Sequence, residues 1–398
     1  MPSKVDSIQP DRPLVLLGVL GILALSLFLQ HEFATKQALL FLIGIGLGIS
    51  LLHAAFGFAG GWRAFIRERK GAGIRAQLWL LAITSLLFFP ILGGLFPELK
   101  ASAALGPVGV SVLVGAFLFG IGMQLGGGCG SGTLFTVGGG HVRMLITLTF
   151  FIAGAVIGSV HLPWWLALPS LGPISILQQN WLFGLLGQFA VLFVLYLLVR
   201  RLEQTRHGRL AALTRQRDSA RFSDRLVLGP WPLLWGVLAL ALVNLATLLL
   251  AGHPWTITFA FGLWGTKLWA AVGGDISGWS YWSTGYPARA LNQSILADTT
   301  SLMDFGVILG ALIAAGLAGK FAPEDRLKRN DTLTAIAGGL LMGYGARLAF
   351  GCNIGGLLAG IGTGSLHGWL WLVAGFAGAI IGVRLRVIAG LDPKLEKT

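Results

Sequence analysis

The chain uses cysteine twice in 398 residues, at positions 129 and 352. Each thiol stands in a glycine-rich interruption of an apolar run, LGGGCGSGTLFTVGGG at 125–140 and FGCNIGGLLAGIGTG at 350–364. A thiol that attacks a substrate or binds a metal works as the thiolate, which a cation, histidine or metal must stabilise. No His, Lys or acid adjoins either cysteine in sequence. There is no CxxC pair and no metal-ligand spacing, so neither a metal nor a cofactor is expected. Both thiols lie in apolar segments, which argues against a structural disulfide. What remains is the neutral thiol, a weak donor with a polarizable sulfur. It suits a large, soft sulfur atom and would hold a sulfur-bearing anion without the trapping that an arginine would cause. Transport needs such modest binding. The bland reading is a buried cysteine acting as a small hydrophobe.

An internal repeat argues against that reading. Residues 115–139 align without gaps on 338–362, pairing Gly115 with Gly338, Gly120 with Gly343, Gly122 with Gly345 and Leu125 with Leu348. The same register pairs Gly128 with Gly351, Cys129 with Cys352 and Gly132 with Gly355. After a one-residue shift, Gly154 and Ala155 match Gly378 and Ala379. The two cysteines, 223 positions apart (352 minus 129), are therefore equivalent. Glycine-rich breaks in corresponding positions of two membrane halves point to a binding path near the midplane. Gly127, Gly128 and Gly351 would let the backbone approach a ligand, and Asn353 would offer its amide or cap a short helix. Helix N-termini aimed at the breaks favour an anion.

The elements that must carry these breaks are membrane helices. The chain is 55% hydrophobic and 11% charged, against about a quarter charged in soluble domains. Mean hydropathy is +0.77. Apolar runs at 14–29, 38–50, 76–95, 108–125, 142–160, 181–199, 233–251, 302–319, 333–350 and 366–383 read as spans. The stretch LLHAAFGFAGGWRAF reads as a separate short helix, followed by a basic loop at 62–75. The net charge of +13 is accounted for mainly by positive-inside loops. Nucleic acid is excluded as a partner, because the basic residues lie in short loops between spans.

Residues 200–225 hold eight arginines against Glu203, Asp218 and Asp224. This region divides the chain into a first membrane half at 1–199, a basic cytoplasmic linker at 200–229 and a second half at 230–398. The basic loops and the C-terminus are expected in the cytoplasm, with the protein in the cell inner membrane. Counting crossings then puts the Cys129 break on the inner side and the Cys352 break on the outer side. The count closes only if 253–274 does not cross fully and is a re-entrant half-helix. The expected fold is thus an all-α polytopic membrane protein of about nine to eleven helices, with inverted repeats and glycine-rich re-entrant half-helices.

GARLAFGCNIGGLLAGIGTGSLHGW at 345–369 resembles the signature of the YeeE/YedE family of membrane proteins. FGIGMQLGGGCGSG is similar to the motif of that family's other repeat, and WTITFAFGLWGTK at 255–267 also resembles a family segment. The resemblance covers most of the chain and is weakest in the arginine linker and at both termini. It implies an inverted-repeat fold with re-entrant helices and uptake of thiosulfate or related sulfur compounds. It further implies that Cys129 and Cys352 pass the ion along by weak S–H contacts. Where members often carry a further cysteine, this chain has Leu51, Leu52 and His53.

Other residues have two readings each. Lys267 either attracts an anion in a vestibule or snorkels or pairs with Asp275. Arg347 either lines the path or pairs. Arg143 and His367 are expected near helix starts, in structural hydrogen bonds. The leading expectation is a non-enzymatic transporter of a small sulfur-containing anion, with Cys129, Cys352, Gly127, Gly128, Gly351, Asn353 and Lys267 as substrate contacts. The alternatives are a membrane sulfurtransferase-like enzyme carrying a persulfide, or a partner that delivers sulfur or selenium to a soluble carrier protein docked at the cytoplasmic linker.

Overall fold

Apolar segments can satisfy their backbone polar groups inside a bilayer only as helices or closed barrels. The computed structural model of the chain, which describes residues 9–178, 180–213, 222–321 and 327–393, takes the helical solution. The first half contains α1 (Arg12–Glu32), α2 (Thr35–Ala54), α3 (Phe58–Glu68), α4 (Ala72–Leu92), α5 (Val110–Gly126), α6 (Gly130–Gly138), α7 (Val142–Leu166) and α8 (Trp181–His207). The second contains α9 (Phe222–Leu228), α10 (Leu233–Ala251), α11 (Thr258–Ala271), α12 (Gly285–Asn292), α13 (Thr299–Leu317) and α14 (Arg329–Leu348). A π-helical turn, Asn353–Leu358, then runs into α15 (Ala359–Gly362), and α16 (Leu366–Ile388) closes the fold. A short antiparallel pair, β1 (Pro107–Gly109) and β2 (Ser170–Pro173), is the one sheet among the described residues.

Ten stretches among the described residues are long and apolar enough to cross a membrane. The protein is an all-α polytopic membrane protein. The 14-residue α11 is not among the ten. At 1.5 Å per residue it reaches about 21 Å, short of a hydrocarbon core of about 30 Å.

The repeat is visible in the packing. A Cβ at Gly120 of α5 would lie 2.1 Å from the Gly375 carbonyl oxygen of α16, and one at Gly343 of α14 would lie 2.1 Å from that of Phe151 in α7. A Cβ at Gly154 would meet the Leu340 carbonyl at 2.3 Å, and one at Gly378 the Phe117 carbonyl at 2.0 Å. In both sets the second half reproduces the first, with the donor and acceptor helices exchanged. The same exchange relates α2 on α13 to α4 on α10, and α3 on α16 to α11 on α7. These backbones touch because the residues between them lack side chains, the small-residue device of membrane helices.

The direction of the symmetry follows from α5 and α14. A Cβ at Gly115 would meet the Gly345 carbonyl, whereas one at Gly122 would meet that of Gly338. The two helices therefore run antiparallel, and a two-fold axis that exchanges them stands perpendicular to both. For helices that cross the bilayer, this axis lies in the membrane plane.

Two sequence expectations change. The stretch 62–75 is not a loop, because α3 extends to Glu68 and α4 begins at Ala72. Phe58, Ala59, Trp62 and Phe65 are buried on one helical face, at the spacing of a 3.6-residue period. The arginines occupy the rest of the turn. The sixth span does not stop at 199 either. α8 continues through the first arginines to His207, held by a buried ion pair of Glu203 with Arg75 at 3.0 Å. Ala211 joins the same knot, accepting from Arg75 at 2.6 Å and donating to Glu203 at 3.1 Å. The arginines at 215, 217 and 221 lie outside the described residues.

Candidate functional site

The first break begins where α5 ends. Gly127 takes φ +92°, in the left-handed region open to glycine. Cys129 then adopts an extended backbone and stands at the N-cap of α6. The second break follows the same plan with different residues. Phe350, the repeat equivalent of Gly127, takes φ +60°, and Gly351 takes φ +145°. A Cβ at Gly351 would lie 2.4 Å from the Gly356 nitrogen, so both space and backbone favour glycine there. Cys352 is the N-cap of the π-helical turn.

The two breaks meet. A Cβ built on Gly130 would lie 2.9 Å from Cys352 Sγ and 3.6 Å from a methyl of Ile257, just ahead of α11. Both cysteines are free and buried, 1% and 0% exposed. Cys129 Sγ lies 3.4 Å from Ser131 Oγ. Cys352 Sγ accepts from the Ile354 N–H at 3.4 Å, which leaves its own S–H directed elsewhere.

Beside them, Asn353 is fully buried and neither its amide nitrogen nor its oxygen has a hydrogen-bond partner among the described residues. Asn244 accepts from the Trp255 backbone N–H at 2.9 Å, while its own amide nitrogen and the Trp255 indole N–H are buried without partners there. An unmade buried hydrogen bond costs about 1–3 kcal/mol. Asn353 thus sets an unsatisfied amide in the second break, next in sequence to the Cys352 thiol.

The remaining expected residues are held by contacts of their own. Lys267 is committed away from it, donating to the Leu291 and Gln293 carbonyls, each at 2.6 Å. Asp275 is not its partner. Arg347 donates to the Tyr281 hydroxyl at 2.6 Å and sits over the Tyr281, Trp282 and Phe259 rings at 4.7, 5.9 and 6.0 Å. Its Nε and Nη2 are buried without hydrogen-bond partners among the described residues. Arg143 caps the end of α5, donating to the Leu125 and Gly126 carbonyls at 2.7 and 3.3 Å. His367 Nδ1 lies 2.7 Å from Ser365 Oγ and accepts from the Gly106 N–H at 3.2 Å. Both play the structural part expected of them.

His53 ends α2, its ring 5.5 Å from that of Trp231. The following residues, 54–57, line a cavity of about 310 Å³ together with Gly60, Gly61, Gln77, Leu213 and Trp231.

Sequence reading passed over two acids. Asp298 caps α13 and is 2% exposed, and Asp304 in the same helix is 0% exposed. Asp298 is satisfied by Ser301 N and Oγ, both at 2.7 Å, and by the Tyr286 hydroxyl at 2.6 Å. Burial and the Asp298 charge push the Tyr286 phenol up, so it stays a donor. The available signal was an ionisable residue within an apolar span, which is rare unless functional.

A family model described as Sulphur transport matches residues 53–381. The chain belongs to that family. Among curated relatives of this sulphur-transport protein, "Thiosulfate transporter TsuA" of Escherichia coli (strain K12) is 26% identical over 343 residues, 83% of this chain and 89% of the relative. The protein of the same name in Spirochaeta thermophila is 28% identical over 355 residues, 83% of this chain and 92% of the relative. "Probable transporter YedE" of Escherichia coli (strain K12) is 29% identical over 158 residues, but the match spans only 40% of this chain and 38% of that protein. These relatives carry transporter names, and both glycine breaks fall inside the matched family region.

Proposed function

We propose that this sulphur-transport protein carries a small sulfur-containing anion, thiosulfate foremost, across the inner membrane through the junction of the two glycine breaks. The observation that carries the reading is the meeting of the two breaks, with their equivalent thiols, beside the unpartnered Asn353 amide. The names of the full-length relatives favour thiosulfate within the class.

In this reading both breaks are re-entrant. α5 overshoots the two-fold axis by about two turns, and residues 127–129 return the chain to the axis, so that α6 starts at the centre. Its twin does the same from the other side. The two N-termini present N–H groups and positive dipole ends to the ion. Cys129, Cys352, Gly127, Gly128, Gly351 and Asn353 form the contact set, with the thiols donating weakly to sulfur. Lys267 ties α11 to the end of α12 rather than touching the ion. Arg347, in its aromatic cage, recruits anions on the outer side. The basic ends of α3 and α8 face the cytoplasm, as does the C-terminus. Residues 1–199 and 230–398 act as the two halves of one transport unit.

The reading is tested by uptake of labelled thiosulfate, sulfite and sulfate into vesicles holding the full chain, alongside Cys129→Ala and Cys352→Ala. Thiosulfate uptake is expected to fall at least tenfold in each variant. Unchanged uptake in both would remove the thiol contact from the mechanism. A sulfur adduct on either cysteine, seen by intact mass after exposure to thiosulfate, would favour the sulfurtransferase alternative. Against that alternative, both thiols are buried and no acid, His or Lys adjoins them in sequence.

A further inference from the structure

Asp304 is a carboxylate inside a membrane helix, 0% exposed, with neither oxygen hydrogen-bonded to any described residue. A bare carboxylate removed from water is among the costliest groups to bury, and a cation on it removes most of that cost. Among the described residues none is supplied. Of the helices packed on α13, α6 carries no ionisable side chain. α11 carries only Lys267, bound to two carbonyls. α2 has Lys36 and His53 near its ends, and α1 has Arg12, His31 and Glu32 near its ends. α9 has Asp224 and Arg225. Asp298, one of the charges that acts on Asp304, has the same sign.

The site of this carboxylate faces the junction. Thr300 and Asp304, four residues apart, share one face of α13. Thr300 Oγ1 lies 3.2 Å from Thr256 Oγ1, and the Thr256 methyl lies 3.7 Å from a Cβ position on Gly355 in the second break.

We propose that Asp304 binds a proton that crosses the membrane together with the anion. This inference rests on the transport reading above. An anion arriving beside Cys352 places like charge near an unpaired carboxylate. A proton on Asp304 Oδ removes that repulsion, so each ligand strengthens binding of the other, as linkage requires. The O–H bond forms with a proton taken from water on the uptake side and breaks to water on the release side. The residue does not touch the anion itself, and Asp298, already saturated by Ser301 and Tyr286, is not the carrier.

The test uses the purified full chain in proteoliposomes with radiolabelled thiosulfate and an internal pH dye. With the membrane potential clamped at zero by a permeant counter-ion and the outside one pH unit more acid, wild type should accumulate thiosulfate about tenfold for one proton per anion, and thiosulfate addition should acidify the lumen. Asp304→Asn should lose the acidification and the accumulation while still exchanging labelled for unlabelled thiosulfate. Asp304→Glu should keep partial coupling. Wild type that exchanges thiosulfate but moves no proton overturns this inference alone, and so does accumulation that follows a sodium gradient. An Asp304→Asn protein still driven by the pH gradient overturns it as well. Wild type that exchanges no thiosulfate overturns the transport reading and this inference with it. Where Asp304→Asn fails to fold, Asp304→Glu decides: a pH dependence of accumulation shifted from that of wild type supports Asp304 as the carrier, and an unchanged one overturns it.

Discussion

Replacing Gly343 by alanine should damage the protein as much as replacing Gly120, although the two residues are far apart in sequence. At each, the added Cβ would sit 2.1 Å from a carbonyl oxygen of the facing helix. A tolerable carbon-to-oxygen contact between helices is about 3.3 Å, so each pair must part by about 1.2 Å, beyond what side-chain adjustment can absorb. Overpacking of this kind costs about 1–3 kcal/mol. A value near 2 kcal/mol corresponds to about thirtyfold in the unfolding equilibrium. Gly21 in α1 and Gly187 in α8 provide the controls, since a Cβ at either would meet nothing within 4 Å. There alanine should be neutral or stabilise by about 1 kcal/mol through helix propensity. Equilibrium unfolding in mixed micelles, reported by tryptophan fluorescence, measures all four variants. Gly343→Ala as stable as Gly187→Ala would refute the close helix contact. A large gap between Gly120→Ala and Gly343→Ala would refute the equivalence of the repeats.

Three further outcomes follow from individual contacts. Arg75→Ala leaves Glu203 charged and buried at 1% side-chain exposure, and should cost about 3–5 kcal/mol in the same unfolding assay. The Arg386 guanidinium, bonded to both Asp392 oxygens at 2.8 and 2.9 Å, holds that carboxyl below the usual carboxylate range. The folded state therefore binds its proton later than the unfolded state, and the stabilisation, full above about pH 4, is lost as the pH falls through the depressed value. Asp392→Asn should flatten the acid side of a stability-versus-pH curve below about pH 4 and leave it sloping equally above. Gly262→Ala would place a Cβ 2.2 Å from Arg347 Nη2 and should lower thiosulfate uptake more than it lowers thermal stability, as measured by vesicle uptake beside a melting curve.

The spans and the repeat were legible because they rest on patterns the sequence carries openly. Hydropathy marks the helices, and the cysteine register marks the equivalence of 115–139 with 338–362. The short helix after 54 was legible too, as a pattern of small and aromatic residues. That 258–271 is too short to cross could be inferred only by closing the charge count. What sequence did not reveal was contact across the fold. Nothing near Lys267 in the chain indicates that the Leu291 and Gln293 carbonyls will take its ammonium. The arginines after 199 looked like the end of a span, yet α8 carries them on because Glu203 finds Arg75 from another helix. Asp304 was marked in sequence only as an acid inside an apolar span, and that no described residue bonds to it is visible only in three dimensions.

The one-residue shift in the repeat has a physical location. α6 spans nine residues, whereas the second break needs a six-residue π-helical turn and the four residues of α15 to reach the same turn. A π-helical turn is how a helix stores one extra residue without breaking. Beyond it the two halves are back in register, since Gly154 against the Leu340 carbonyl and its twin Gly378 against the Phe117 carbonyl make the same contact. The asymmetry is thus confined to the breaks themselves, where Phe350 stands for Gly127 and Asn353 for Gly130 inside a frame that both halves share. Removing the inserted residue should therefore alter the second break alone and leave the helix contacts beyond it as they are.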